Sequence, residues 1–145
     1  MIIMKKYFFT IVFIAVAGIF SAQAQVTGKW KTIDDETKEA KSIVEVYEKD
    51  GKLYGKVIEI LNPAKKDSKC QNCKGADKDK PILGLTIIKG LTKDGDEYTD
   101  GDILDPQKGK LYSCTIKLDG KDKLDVRGYM GISLIGRSQT WYRLK

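Results

Sequence analysis

The chain of 145 residues contains no histidine. That absence removes the commonest general base near neutral pH and the commonest metal ligand. The serines therefore have no imidazole to activate them, which sets aside the Ser–His–Asp route to acyl transfer. Cysteine is scarce as well: Cys70, Cys73 and Cys114 are the whole supply. A structural zinc site needs four ligands, usually two Cys or Cys/His pairs, and no second pair exists. No apolar run reaches the roughly 20 residues of a membrane span. There is no long amphipathic helical pattern and no internal repeat, which sets aside helical bundles and solenoids.

The longest apolar run is Tyr7 to Phe20, YFFTIVFIAVAGIF, interrupted only by Thr10. Lys5 and Lys6 precede it, and Ser21-Ala22-Gln23-Ala24 follows with the small-x-small pattern that signal peptidase accepts. We read residues 1–24 as a signal peptide cleaved after Ala24. No cysteine follows the run to carry a lipid. The product is expected in the periplasm or outside the cell, with no transmembrane segment left after cleavage. One domain is expected over residues 25–145, a length at which a single core forms. Losing two lysines and no acid takes the net charge from +6 to +4. That mild, mixed balance, together with export, argues against nucleic acid as a partner and allows an anionic lipid or polysaccharide.

The mature part reads as consecutive strands. Gly28 to Ile33 comes first, and charged Asp34 to Lys41 is a connecting loop. Ser42 to Lys49 and Leu53 to Leu61 are rich in Val, Ile and Tyr, and Asp50-Gly51 suits a primed turn between them. Asn62 to Pro81 has no hydrophobic periodicity; a segment of that length inside a small domain needs a functional or covalent reason. Ile82 to Lys89 and Tyr98 to Leu104 are further strands, turned at Lys93 to Asp96. Leu111 to Leu118, Leu124 to Met130 and Ile132 to Arg143 alternate between faces and are cut by Asp119-Gly120 and Gly131. The expectation is an all-β, up-and-down antiparallel barrel, closed or nearly closed, of about eight strands.

Two resemblances can be placed on these residues. Gly28-x-Trp30 on the first strand with Arg143 on the last resembles the lipocalin-like (calycin) pattern, in which a late Arg packs over an early Trp. A broader set occurs in order along the chain. It comprises Gly28-Lys29-Trp30, Leu53-Tyr54-Gly55-Lys56, Cys70-x-x-Cys73-x-Gly75, Gly101-x-Ile103-x-Asp105-Pro106-x-x-Gly109-Lys110-x-Tyr112, Val126-Arg127-Gly128-Tyr129 and Gly136-Arg137-x-Gln139-Thr140-Trp141-x-Arg143. Together these look like the secreted bacterial domain-of-unknown-function family 2147. The resemblance implies an exported lipocalin-like barrel and carries over no catalytic residue and no cofactor.

Candidate chemistry is sparse. Cys70-Gln71-Asn72-Cys73 lies in a lysine-rich loop with no helical pattern after it, unlike a redox motif at a helix N-terminus. In an exported protein it is expected to oxidise to a local staple. Cys114 alternates with Tyr112 and Ile116 on an apolar face and is expected as a buried thiol. The acids Asp94, Asp96, Glu97, Asp100, Asp102 and Asp105 do not make an EF-hand: Thr99 stands where the sharp-turn glycine belongs and Asp105 where the bidentate Glu belongs. Asp105 before Pro106 reads as turn chemistry, its side chain capping backbone amides. Glu45, Glu48 and Glu59 have no spacing that marks an acid–base pair. No metal ligand set and no catalytic residue is assigned.

The most distinctive polar set is Arg127, Tyr129, Arg137, Gln139 and Trp141, beside the structural Arg143 and Trp30. Period two puts the first two on one face of their strand and the others on one face of the next. Facing inward, guanidiniums beside aromatics suit a carboxylate or phosphate head group. Facing outward, they make cross-strand pairs. The expected function is a non-enzymatic exported protein that binds a small amphipathic ligand in its barrel. The alternative is a solid barrel that holds an envelope protein or polysaccharide partner, with the Lys65–Lys80 loop or an outer face as its contact.

Overall fold

The computed structural model describes residues 25–131 and 135–145. The expected signal peptide, residues 1–24, and Ile132, Ser133 and Leu134 of the last expected strand lie outside the described residues. Eight antiparallel strands close on themselves in sequence order: β1 (Gly28–Ile33), β2 (Ala40–Lys49), β3 (Lys52–Ile60), β4 (Thr86–Asp94), β5 (Glu97–Asp105), β6 (Lys110–Asp119), β7 (Lys123–Tyr129) and β8 (Gly136–Arg143). This is the up-and-down barrel expected from the alternation.

Up-and-down order sorts the connections by length. The β1–β2, β3–β4, β5–β6 and β7–β8 links gather at one end, which carries the long loop. Tight turns β2–β3, β4–β5 and β6–β7 gather at the other, together with the start of β1 and the end of β8. Asp50-Gly51 forms its turn with both residues at positive φ, the backbone of a primed hairpin. Trp30, Val44, Val46, Leu53, Ile88, Leu91, Cys114, Ile116 and Leu124 are fully buried and fill the interior. Each large side chain taken from water there stabilises the fold by about 1.5–3 kcal/mol.

Several strand boundaries differ from those expected: β2 begins at Ala40, inside the segment expected as a loop, and the largest differences are at β4 and β5. Ile82 to Leu85 is a turn, not the start of β4. Leu85 N donates to Ile82 O at 3.0 Å, and Gly84 N donates to Val57 O at 2.7 Å. These bonds dock the segment beside β3 before β4 begins, a tertiary constraint that apolar composition does not reveal. The following turn is correspondingly tight, only Gly95-Asp96, with Asp94 still paired to Glu97. β5 runs two residues longer than expected, and its irregularity has a definite cause. Its register against β6 shifts between Tyr98 and Gly101, where Asp100 takes a φ of 59°.

Gly101 is required at that shift. A Cβ built on it would lie 2.6 Å from the Leu91 Cδ2 and 2.7 Å from the carbonyl oxygens of Lys89 and Gly90. Two of those atoms are backbone and cannot swing away. Gly101→Ala is expected to destabilise the barrel by about 1–3 kcal/mol. Urea unfolding of the two proteins checks this, and an unchanged midpoint would show that β4 and β5 separate there without strain.

Candidate functional site

The β7–β8 register decides what the arginine set does. Trp141 lies opposite Leu124, Gln139 opposite Val126 and Arg137 opposite Gly128. Leu124 and Val126 are buried core residues, so Arg137, Gln139 and Trp141 share the inward face of β8. Arg127 and Tyr129 oppose Ser138 and Gly136 and therefore face outward. Arg127 Nη1 donates to Ser138 Oγ at 3.3 Å on that outer face. The five residues thus fall into two groups on opposite sides of the sheet.

On the inner side a polar chain runs from the core to the rim. Trp141, 2% exposed, donates its indole N–H to Gln139 Oε1 at 3.1 Å. The Gln139 amide donates in turn to Asp35 Oδ2 at 2.7 Å, and Arg137 is ion-paired with the same carboxylate. A buried indole N–H needs an acceptor, and Gln139 relays that need outward to a charge.

Asp35 comes from the β1–β2 loop, which the sequence marks only as a charged connection. The loop is fixed by its neighbour: Asp34 Oδ1 accepts from the amides of Glu36 and Thr37, both at 2.9 Å. Those amides, Thr37 foremost, hold the Asp34 carboxyl below its ordinary value, so it stays ionised as a cap. Asp34 N also donates to Glu39 O at 2.9 Å, closing the loop's neck. No period marks one acid of an irregular loop, so nothing local in the sequence singles out Asp35.

At the far end Arg143 closes the barrel. Its guanidinium carbon stands 4.3 Å from the centre of the Trp30 ring, and it donates to the carbonyls of Lys121, Thr27 and Gln25. Trp30 Nε1 donates to Val26 O at 2.9 Å. Glu48 lies in the same end and accepts from the Tyr98 hydroxyl at 3.2 Å. Glu45 lies opposite Lys29 and Lys56, and Glu59 opposite Ile43, on faces that do not bring the three acids together.

The long β3–β4 loop is stapled by a Cys70–Cys73 disulfide. It contains two single 3-10 turns, Pro63–Lys65 and Gly75–Asp77, and a bridge between Lys69 and Pro81. Cys70 is wholly buried and its sulfur lies 3.4 Å from the Pro106 carbonyl oxygen. Asn72 donates to Gln107 O at 3.0 Å, and Asp77 pairs with Lys89 of β4. Ile87 and Leu104, neighbours of the inward Ile88 and Ile103, are buried although alternation turns them outward. The loop therefore packs on the outside of β4 and β5. Gly109, at φ 66°, permits the approach: a Cβ there would fall 1.9 Å from the Asn72 carbonyl oxygen. Asp105 Oδ1 accepts from the amides of Gln107 and Lys108 at 3.0 and 3.2 Å and shapes that same turn.

Among the described residues no group of three or more Cys, Asp or Glu is placed to hold a metal ion. Among them, too, no helix is long and apolar enough to cross a membrane.

A family model described as an uncharacterised protein conserved in bacteria, DUF2147, matches residues 28–143. The chain belongs to this family. The match runs from the first residue of β1 to the last of β8, so the DUF2147 unit and the barrel coincide. A solved structure, protein HP1028 from Helicobacter pylori, described as belonging to the lipocalin family, has the same fold. It aligns with a TM-score of 0.74 and 21% identity over 84% of each chain. No curated protein matches the chain.

The remaining thiol of this DUF2147 barrel faces inward opposite Gly101 and Gly128. Burial pushes the Cys114 thiol up to about 12, with the Asp102 charge adding to the effect. Alkylation requires the thiolate, of which about one part in ten thousand is present at pH 8. Native protein is expected to resist iodoacetamide at pH 8 and to be labelled once unfolded, as read by intact mass. The thiol's folded value lies above its ordinary 9.0, so its contribution to stability is intact below pH 9 and is lost as pH rises from there towards about 12. Rapid labelling of the folded protein would show that the core opens at Cys114.

Proposed function

We propose that this protein is exported by a cleavable signal peptide, acts without catalysis, and binds a small amphipathic molecule at the loop-bearing end of its barrel. The observation that carries this reading is the inward polar chain Arg137–Asp35–Gln139–Trp141. A guanidinium at the rim offers the charged head group of such a molecule a partner. The Asp35 carboxylate holds that site in the absence of ligand, and a carboxylate or phosphate would compete with it for Arg137. Export fits the disulfide, since such bonds persist in oxidising compartments outside the cytoplasm.

One observation favours the alternative of a solid barrel that holds an envelope protein or polysaccharide. The interior around Trp30, Leu53, Ile88, Ile116 and Leu124 is completely buried, so any ligand at the loop-bearing end sits shallow. The Lys65–Lys80 loop would then provide the contact.

Native mass spectrometry of the protein exported through its own leader separates the two readings. The carrier reading predicts a mature chain beginning at Gln25, lighter by the two hydrogens of the disulfide, with a bound mass that leaves on denaturation. Arg137→Gln, at an exposed position, is expected to weaken that binding about tenfold, the size of one lost charge-assisted hydrogen bond. Trp141 is part of the core and is unsuitable for this test. A ligand retained undiminished by Arg137→Gln would overturn the site. A bare chain that binds envelope polysaccharide, and loses it on deletion of the lysine-rich loop, would establish the alternative.

A further inference from the structure

The opposite end of the barrel holds a cavity of about 500 Å³, between the Gln25–Thr27 segment, the β4–β5 turn and the inward ends of β2, β5 and β6. That volume is in the range of small-molecule sites. Its apolar surface comes from Val26, Leu118 and the Tyr98 ring, and its rim carries Glu48 and Lys93. Lys93 lies opposite Tyr98 in the β4–β5 register, and Tyr98 opposite Ile116 in the core, so Lys93 and Tyr98 share the inward face.

We propose that this cavity is a binding site, separate from the arginine site, for a short zwitterion with an apolar body, of the free amino acid or dipeptide class. Glu48 supplies an anionic acceptor and Lys93 a cationic donor at the same opening, complementary to an ammonium and a carboxylate on one molecule. Among the neighbouring charged side chains, Lys117 is engaged by Asp96 at 3.2 Å. Among the described residues, Lys93 has no acidic partner within ion-pair distance, and Glu48 accepts only from the neutral Tyr98 hydroxyl. Burial, then the Glu48 contact, raises the Tyr98 phenol above its ordinary 10.0, so it remains the donor that orients the Glu48 carboxylate.

The cavity wall is built before any ligand arrives. Arg143 donates to the carbonyls of Gln25 and Thr27, and Trp30 to that of Val26, which is 5% exposed. The groups that close the barrel therefore also fix the strap that encloses the site. This proposal does not rest on the ligand proposed for the loop-bearing end.

The test is nuclear magnetic resonance titration of the exported protein with L-leucyl-L-leucine and, separately, L-phenylalanine. Saturable shifts are expected at the methyl groups of Val26 and Leu118 below about 10 mM, a weak affinity of a few kcal/mol. Glu48→Gln and Lys93→Gln, both at the rim, are each expected to weaken binding about tenfold, while Arg137→Gln leaves it unchanged. Absence of saturable shifts from both probes would overturn the site, as would shifts confined to Arg137 and Gln139. Binding at Val26 and Leu118 that survives both rim substitutions would overturn the zwitterion assignment.

Discussion

The seam between β1 and β8 is the constraint on which the barrel depends. These strands pair through only Trp30↔Arg143 and Lys31↔Tyr142, whereas β6 and β7 pair over seven residues on each strand. Backbone hydrogen bonds are thus fewest where the sheet must close. Side chains supply the difference: Arg143 stacks on Trp30 and ties three carbonyls of two separate segments, while Leu144 N donates to Lys29 O at 2.9 Å. A planar guanidinium does both because it stacks through its face and donates along its edges. Closing the sheet also removes two edge strands that would otherwise offer unpaired backbone to other chains.

The two ends of the barrel solve different problems. At the end with the tight turns, those turns and the Gln25–Thr27 segment leave charged groups around a small apolar floor. At the loop-bearing end, Asp35 binds the β1–β2 loop to β8, and the stapled loop lies along β4 and β5. The staple closes a short ring, so its entropic contribution is about 2 kcal/mol on the chain-entropy model. Its larger consequence is local shape: it presents Asn72 to the β5–β6 turn and buries Cys70 against Pro106. The long loop thereby covers outward Ile87 and Leu104, which would otherwise be an exposed apolar stripe on a solvated sheet face.

Much of this architecture was legible in the residues themselves. Alternation placed Tyr112, Cys114, Ile116 and Leu118 on the inner face of β6, and Asp50-Gly51 marked its turn through backbone preference. Each of these is a local property, set by period-two geometry or by which residues tolerate positive φ. Ile82 to Leu85 reads as strand but folds as a turn, because apolar composition is shared by strands and by turns docked against a core. Asp35 left no mark because its partners, Arg137 and Gln139, lie about a hundred residues away in sequence.

The sequence by itself determined the strand count, the alternating faces, the cysteine pair suited to a staple and the family pattern from Gly28 to Arg143. Those follow from short-range chemistry repeated along the chain. Only the tertiary structure decided that Arg137 and Gln139 face inward with Trp141 while Arg127 and Tyr129 face outward. The reason is register: within each strand the spacing fixes which residues share a face, but closure of the barrel fixes which face is inside. The same closure, and not any motif, brings Glu48, Lys93 and Tyr98 from three strands to one opening.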